Sequence, residues 1–411
     1  MASQDRQSPI PFYYPKTRKF WSVGVGHMTN DIFMSAGIVV LTFLSATVLP
    51  MSNTQIGLAV SGKQLAGAFT QPFFGLRADK TGGRWIGAGG LAWVVVTFAL
   101  AVILAVTTQN YIAMLIPFVL QGLGSGALHP VGALHAAEAD DDHVATNTAF
   151  FFLMGQMGLG LGPWIVGMLL DVANRGAGTA NVMPLLLMVF AAIPSILFMF
   201  GGIPATRGAK AKNDKAKNDD PERASGISWS ALAPFGIIAL LVILRSLAQP
   251  GSVNFIPKLF QEKGWSPTEY GAIISFFWVA SAISGVVLGN LADRFDRRKI
   301  IMVSMVGSAP MFFFLPLVDG YLAFVLAILA GGLSGGAHSI IVVLAQEFAP
   351  NAKGFASGSI LGFIFGMGAL GSFLIGAVSD VIGLGVTFQF VAVAAVAAGL
   401  MGLLLPKPDV R

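Results

Sequence analysis

The chain has 411 residues, of which 55% are hydrophobic and only 11% charged, with a mean hydropathy of +0.74; an average soluble domain carries roughly 25% charged residues. So apolar a chain cannot expose most of its surface to water, and it reads as an integral membrane protein. The formal net charge is +5, and cysteine is absent, which excludes disulfides, thiolate nucleophiles and cysteine-held metal.

Residues 1–19 form a polar tail leading into an apolar run too long for a signal-peptide core, which is expected to stay as an uncleaved first span. Twelve such runs follow one another at 20–49, 54–76, 84–106, 110–137, 145–172, 181–203, 229–260, 267–291, 299–318, 320–346, 353–382 and 386–405. Each is long enough to cross about 30 Å of hydrocarbon. They are continuously apolar rather than alternating, so helices are expected and barrel strands are not, because a spanning helix satisfies its own backbone hydrogen bonds. The expected fold is all-α, with twelve transmembrane helices. The 50 glycines suit close helix packing in a bilayer.

The segment 204–228, containing "RGAKAKNDKAKNDDPERASG" from Arg207 to Gly226, is polar and of low complexity, as a flexible linker is. It separates a bundle at 20–203 from a bundle at 229–405, and 406–411 form a short tail. Placing both termini in the cytoplasm puts most of the 25 Lys and Arg residues on the cytoplasmic side, the exceptions being Lys63, Arg175, Arg245, Lys258 and Lys263. The expected location is the cell inner membrane. Topology accounts for the basic pI, and no charge is left over that calls for nucleic acid.

The two bundles repeat one design. At a separation of 214 positions, Thr54 and Gly57 match Thr268 and Gly271, Asp79 matches Asp293, Lys80 matches Arg294, and Arg84 matches Arg298. At a separation of 209, His129 matches His338, Glu138 matches Glu347, Gly162 matches Gly371, Gly167 matches Gly376, and Asp171 matches Asp380. Two constant offsets indicate a duplicated six-helix unit, and an even number of spans per unit makes the copies parallel about an axis along the membrane normal.

Both charged phrases, "GLRADKTGGR" (75–84) and "GNLADRFDRRK" (289–299), then fall on one side of the membrane. They resemble the loop motif of the major facilitator superfamily, Gly-x-x-x-Asp-Arg/Lys-x-Gly-Arg-Arg/Lys, with Asp296 in the second copy standing where the motif has Gly. The likeness extends over essentially the whole chain. It implies a latch formed by Gly75, Asp79, Lys80 and Arg84 with Gly289, Asp293, Arg294 and Arg298, closing the cytoplasmic side in the outward-facing state. The plainer alternative is that the basic residues anchor topology while each Asp caps the next helix.

An ionisable side chain near mid-bilayer costs at least about 2.5 kcal/mol on insertion scales and is a functional candidate for that reason. Asp31 in span 1, Lys63 in span 2 and Arg245 in span 7 are three such residues, and Arg245 stands 214 positions after Asp31. His27 shares the helix face of Asp31, and with Asn30 they make "HMTND" a polar patch. The resemblance implies that spans 1, 4, 7 and 10 line a central cavity, which would receive His27, Asn30, Asp31, His129, Arg245, Gln249, Asn254 and His338. Asp31 with His27 is expected to carry a coupling proton. Arg245, with Lys63, is expected to attract negative charge on the substrate, and Asn30, His129, Gln249, Asn254 and His338 to complete the binding site. Alternatively, Asp31 and Lys63 neutralise one another as a buried pair, and His129 and His338 merely pack. Glu138 and Glu347 are placed near the cytoplasmic ends of spans 4 and 10, either solvated or paired at the gate. Spans 3, 6, 9 and 12 carry no charge in their interiors, as helices facing lipid should.

Span 5 contains "GLGLGPWIVG", whose Gly158, Gly162, Pro163 and Gly167 resemble the antiporter motif Gly-x-x-x-Gly-Pro-x-x-Gly-Gly, with Val166 replacing one glycine. "GHMTNDIF", "GSGALHP" and "LRSLAQPGSVNFIP" resemble the fosmidomycin-resistance-type branch of the superfamily. Together they imply a monomeric, proton-coupled antiporter exporting a small anionic or amphiphilic compound, with protons, substrate and lipid as its partners. The alternatives are a proton symporter for an organic acid or sugar, an exporter of metal using the cavity histidines, and a membrane enzyme or receptor. No "GxxxxGK[ST]", "HExxH" or Cys-His cluster supports enzymatic chemistry. No cofactor and no resident metal is implied.

Overall fold

The computed structural model describes residues 14–175, 180–205, 229–348 and 353–405. Every regular element among them is helical. The first bundle comprises α1 (Arg18–Ala46), α2 (Asn53–Thr81), α3 (Arg84–Thr108), α4 (Tyr111–Ala137), α5 (Val144–Asn174) and α6 (Leu185–Gly202). The second comprises α7 (Trp229–Ser246), α8 (Ile256–Glu262), α9 (Pro267–Arg294), α10 (Arg297–Phe314), α11 (Gly320–Gly335), α12 (Ala337–Phe348), α13 (Lys353–Ile382) and α14 (Leu384–Leu403). Eleven segments are long and apolar enough to cross a membrane. α2 is not among them, because Lys63, Gln64 and Gln71 dilute its apolar stretch.

Two expected spans are broken. The run 229–260 is α7, then a π-helical turn at Leu247–Gly251, a short 3₁₀ turn at Ser252–Phe255, and α8. Pro250 removes a backbone donor here, and irregular backbone at membrane depth is tolerated when protein surrounds it. The run 320–346 divides between α11 and α12 at Gly336.

α2 and α9 begin alike. Ser52 and Ser266 each accept the N–H three residues on, while Gln55 and Glu269 reach back to the cap backbone, a capping box in both copies. α2 ends at Gly82, and Gly82 and Gly83 both take left-handed backbone (φ 81° and 80°), which turns the chain directly into α3.

Within the first bundle α1 packs on α5, and α4 on α2 and α3; within the second, α9 packs on α11 and α10 on α14. The bundles meet along α2 with α13 and α5 with α9. These contacts bring backbone against backbone. A Cβ at Gly57 would overlap the Ser372 carbonyl and one at Gly376 the Asn53 carbonyl; at the equivalent places, Gly271 faces the Pro163 carbonyl and Gly167 the Pro267 carbonyl. Farther along, Gly289 on α9 and Gly362 and Gly366 on α13 have nothing among the described residues within 4 Å of an added Cβ. The paired helices therefore part, leaving the molecule closed where α2 and α9 start and open where they end. Large apolar side chains on α3, α6, α10 and α14, among them Trp93, Phe190, Val303 and Phe390, point outward, as lipid-facing helices require.

Candidate functional site

The first polar cluster is built on α1. His27 and Asp31 are buried one turn apart, with His27 Nε2 3.3 Å from Asp31 Oδ2. His129 on α4 brings its Nε2 to 3.8 Å from Asp31 Oδ1. Asn30 Nδ2 donates to Asp31 Oδ1 at 2.7 Å and to Ser125 Oγ at 3.2 Å. The His27 ring stacks on Phe151 with centroids 4.1 Å apart and meets His129 edge-on at 4.8 Å.

The outer nitrogens decide the proton inventory. His27 Nδ1 lies 2.9 Å from the Phe151 carbonyl, and His129 Nδ1 2.7 Å from the Ser125 carbonyl. A carbonyl oxygen only accepts, so each Nδ1 carries the hydrogen, and each Nε2 of a neutral ring is a bare acceptor. A bare nitrogen and a carboxylate oxygen repel. The contact between His27 and Asp31 is therefore attractive only when the pair holds one further proton, as imidazolium or as carboxylic acid.

Room for this pair comes from α5. A Cβ at Gly155 would strike the His27 ring and come within 2.8 Å of Asp31 Oδ2, while Gly158 lies against the Met28 carbonyl and Gly162 against the Ile32 carbonyl. Of the antiporter-like stretch, Gly158 and Gly162 thus seat α1 beside Asp31, and Pro163 and Gly167 meet α9. Gly155, Ser125 and Phe151 were not legible as site residues, although 155, 158 and 162 share a helix face and could have been read as a glycine stripe.

The second cluster lies in the other bundle. Arg245 is 1% exposed; its Nη2 donates to Gln249 Oε1, Gln249 Nε2 donates to Ser281 Oγ at 3.2 Å, and Arg245 Nε has no acceptor. His338, half-buried, is within electrostatic reach of Arg245. Among the described residues Arg245 has no ion-pair partner. Lys63 joins neither cluster. Its ammonium donates to the Met34 carbonyl at 2.8 Å and sits 4.5 Å over the Phe118 ring, so it does not pair with Asp31. Asn254 donates to the Pro250 carbonyl and to Ser372 Oγ, each at 2.9 Å, tying the broken seventh span to α13.

His27, Asp31 and His129 could offer a metal ion three donor atoms, all within 4.8 Å of one another. Metal–ligand bonds of 2.0–2.2 Å would require those atoms at roughly 3.3 Å from each other. The set is wider than that, and its one contact of 3.3 Å is between His27 and Asp31.

At the loop motif, Arg84 Nε donates to the Ile203 carbonyl at 2.6 Å and stacks over Phe200. Arg298 reaches the Leu405 carbonyl at 3.2 Å and binds Asp296 at 2.7 Å. Each thus holds the last helix of its own bundle. Asp296, standing where the motif has Gly, accepts the Arg298 N–H and caps α10; hydrogen bonding from Arg298 holds its carboxyl below the usual carboxylate range. Gly75 lies against Pro130, a Cβ added at Gly289 would meet nothing among the described residues within 4 Å, and Lys80 and Arg294 are exposed. The side chains of Asp79, Asp293 and Glu347 lie outside the described residues, as do most of the tail and the linker. Glu138 pairs with Lys19 at 3.2 Å within its own bundle.

Two pseudo-symmetric helical bundles, closed together at one end around buried ionisable clusters, define a membrane transporter rather than an enzyme. The family model of the Major Facilitator Superfamily matches residues 23–251 and 238–411, and the chain belongs to that family. It is 25% identical over 389 residues to the fosmidomycin resistance protein of Escherichia coli (strain K12), covering 92% of each chain. Against the quinolone resistance protein NorA of Staphylococcus aureus (strain MRSA252) the identity is 22% over 364 residues, covering 85% of this chain and 87% of the relative. The solved structure of a D-xylose-proton symporter shares the fold, with a TM-score of 0.70 at 15% identity over 95% of this chain and 98% of that one.

Proposed function

We propose that this transporter is a proton-driven antiporter exporting a small anionic or amphiphilic compound across the cytoplasmic membrane, as a monomer with both termini inside. One observation carries the proposal: Nδ1 of His27 is committed to a carbonyl, so its contact with Asp31 needs a proton between them. His27, Asp31 and His129 then form one proton store, with Asn30 and Ser125 orienting the carboxylate. Arg245 is the anchor for the cargo's negative charge. It is buried, lacks a carboxylate partner among the described residues, and keeps an unmatched Nε, a poor arrangement for stability alone and a good one for receiving an anion. Gln249 and His338 flank it, and Lys63 adds positive potential from the other bundle.

Export is supported by two relatives named for drug resistance, and antiport by the stretch from Gly158 to Gly167, whose Gly158 lies against Asp31. In the state open at the loop end, cargo would load at Arg245. Reorientation would expose both clusters to the opposite side, where a proton entering the Asp31 store accompanies release of cargo. Asp79, Lys80, Asp293 and Arg294 would then latch the loop end. The test is transport in proteoliposomes with an imposed pH gradient, using a panel of small phosphonates, carboxylates and lipophilic drugs. Accumulation of a panel compound on the acidic side supports antiport; accumulation only on the alkaline side, alongside the proton, refutes it.

A further inference from the structure

The closed end carries a second pair of acidic residues with partners of their own. Asp380, at the end of α13, accepts the N–H groups of Asn53 and Thr54 at 2.8 Å each and the Thr54 hydroxyl at 2.5 Å. Asp171, at the end of α5, accepts the N–H of Thr268 at 3.0 Å. Both carboxylates therefore sit on the first N–H groups of a helix belonging to the other bundle. The two arrangements are equivalent by sequence, since Asp171 and Asp380 match at a separation of 209 and Thr54 and Thr268 at 214.

A helix start leaves several N–H groups without a partner. Ser52 and Ser266 satisfy only the third position of their helices, and the carboxylates from across the interface take what these local caps leave. The bonds join a full negative charge to the positive end of a helix, the stronger class of hydrogen bond. They are unequal for a covalent reason. In α2 the first two positions are Asn53 and Thr54, both donors, whereas α9 has Pro267 first, which has no N–H.

We infer that Asp380 and Asp171 are paired clasps that hold this end shut, and that both must let go for it to open. The rest of the contact is largely glycine against backbone, which can part without losing polar bonds. A further hydrogen bond between these helix pairs runs from Ser61 Oγ to the Ala369 carbonyl. On separation, water can satisfy both the carboxylates and the helix starts, so the clasps are reversible and bias the resting state without welding it. The inference stands whichever way cargo moves and whatever carries the proton.

Because the chain lacks cysteine, a spin-label pair can be introduced directly as Gln109→Cys with Tyr321→Cys, two exposed positions at the closed end, one in each bundle. Pulsed electron-resonance distances are then measured in nanodiscs without substrate at fixed pH. The parent should show mainly the short distance. Asp380→Ala should shift the ratio of short to long by about tenfold or more toward long, since hydrogen bonds to a charged group outweigh neutral ones. Asp171→Ala should shift it less, and the double variant most. Thr54→Val, which deletes one clasp bond without touching a charge, should shift it by a fewfold and serves if the Asp variants insert poorly. A parent showing only the long distance, or a Thr54→Val and Asp→Ala series indistinguishable from the parent, would overturn the inference.

Discussion

Replacing Asp31 with Asn separates proton storage from architecture. The amide keeps the carboxylate's shape, and its NH₂ can donate to the bare His27 Nε2 now 3.3 Å from Asp31 Oδ2. The cluster then closes without a stored proton. The bond exchanged is a charge-assisted one, worth about 1.5–3 kcal/mol, for a neutral one of about 0.5–1.5 kcal/mol, so the loss of stability should be on the order of 1 kcal/mol and the protein should remain folded. The functional change is far larger. One store implies one exchanged proton, and each pH unit supplies about 1.4 kcal/mol per proton, so a gradient of two units should sustain about a hundredfold accumulation of an uncharged cargo in the parent. Asp31→Asn should reduce that to equilibration while cargo-for-cargo counterflow continues. The assay is uptake into inside-out proteoliposomes, with and without a collapsing ionophore. Undiminished, ionophore-sensitive accumulation by Asp31→Asn would refute the proton store.

Gly155→Ala should disrupt coupling by a different route, because the new methyl strikes the His27 ring; overpacking of this kind costs about 1–3 kcal/mol, visible as a lowered melting temperature together with lost gradient-driven transport. Arg245→Met should abolish binding of anionic cargo yet leave thermal stability equal to or above the parent's, since a buried charge with no ion-pair partner among the described residues is replaced by an apolar chain of similar length; calorimetry and a thermal-shift assay read the two effects separately. Lys63→Met should weaken cargo binding much less than Arg245→Met, its ammonium being engaged by the Met34 carbonyl and the Phe118 ring. Asp296→Ala should cost roughly 1 kcal/mol through loss of the α10 cap. Because the folded-state pKa of Asp296 is lowered, this contribution is present above the unfolded carboxyl range and fades as pH falls through the folded pKa, so parent and variant should converge in acid denaturation.

The spans were legible because hydrocarbon imposes length and composition at once, and the duplication because two offsets recur. The breaks at Pro250 and Gly336 were not, since whether a helix tolerates such residues depends on the neighbours that re-satisfy its backbone. His27, Asn30 and Asp31 were legible as one patch because helical spacing alone places His27 and Asp31 on one face. Lys63 shows the limit. Sequence gave its depth in the bilayer but not its direction around α2, and its ammonium proves to contact α1 backbone at Met34 rather than Asp31. Gly155 and Ser125 act by leaving room and by lending a carbonyl, roles that carry no chemical mark in a sequence. Asp171 and Asp380 were visible as a repeat, but their partners lie 97 and 326 or 327 positions away, beyond anything spacing can reveal.

The two halves agree and differ in an instructive pattern. At the closed end the equivalent residues are the same: Ser52 and Ser266, Thr54 and Thr268, Gly57 and Gly271, Gly167 and Gly376, Asp171 and Asp380. A gate formed where two related bundles roll apart asks the same motion of both, so identical parts serve. At mid-membrane the equivalents are Asp31 and Arg245, opposite in charge, while His129 and His338 stay alike. Two like charges there would repel across the interface and could not divide the work between a cation and an anion. Opposite charges let one half hold a proton and the other a negatively charged cargo. Asp31 and Arg245 form no ion pair with each other in this state; the Asp31 carboxylate is taken up by His27, His129 and Asn30, which leaves the guanidinium available to cargo.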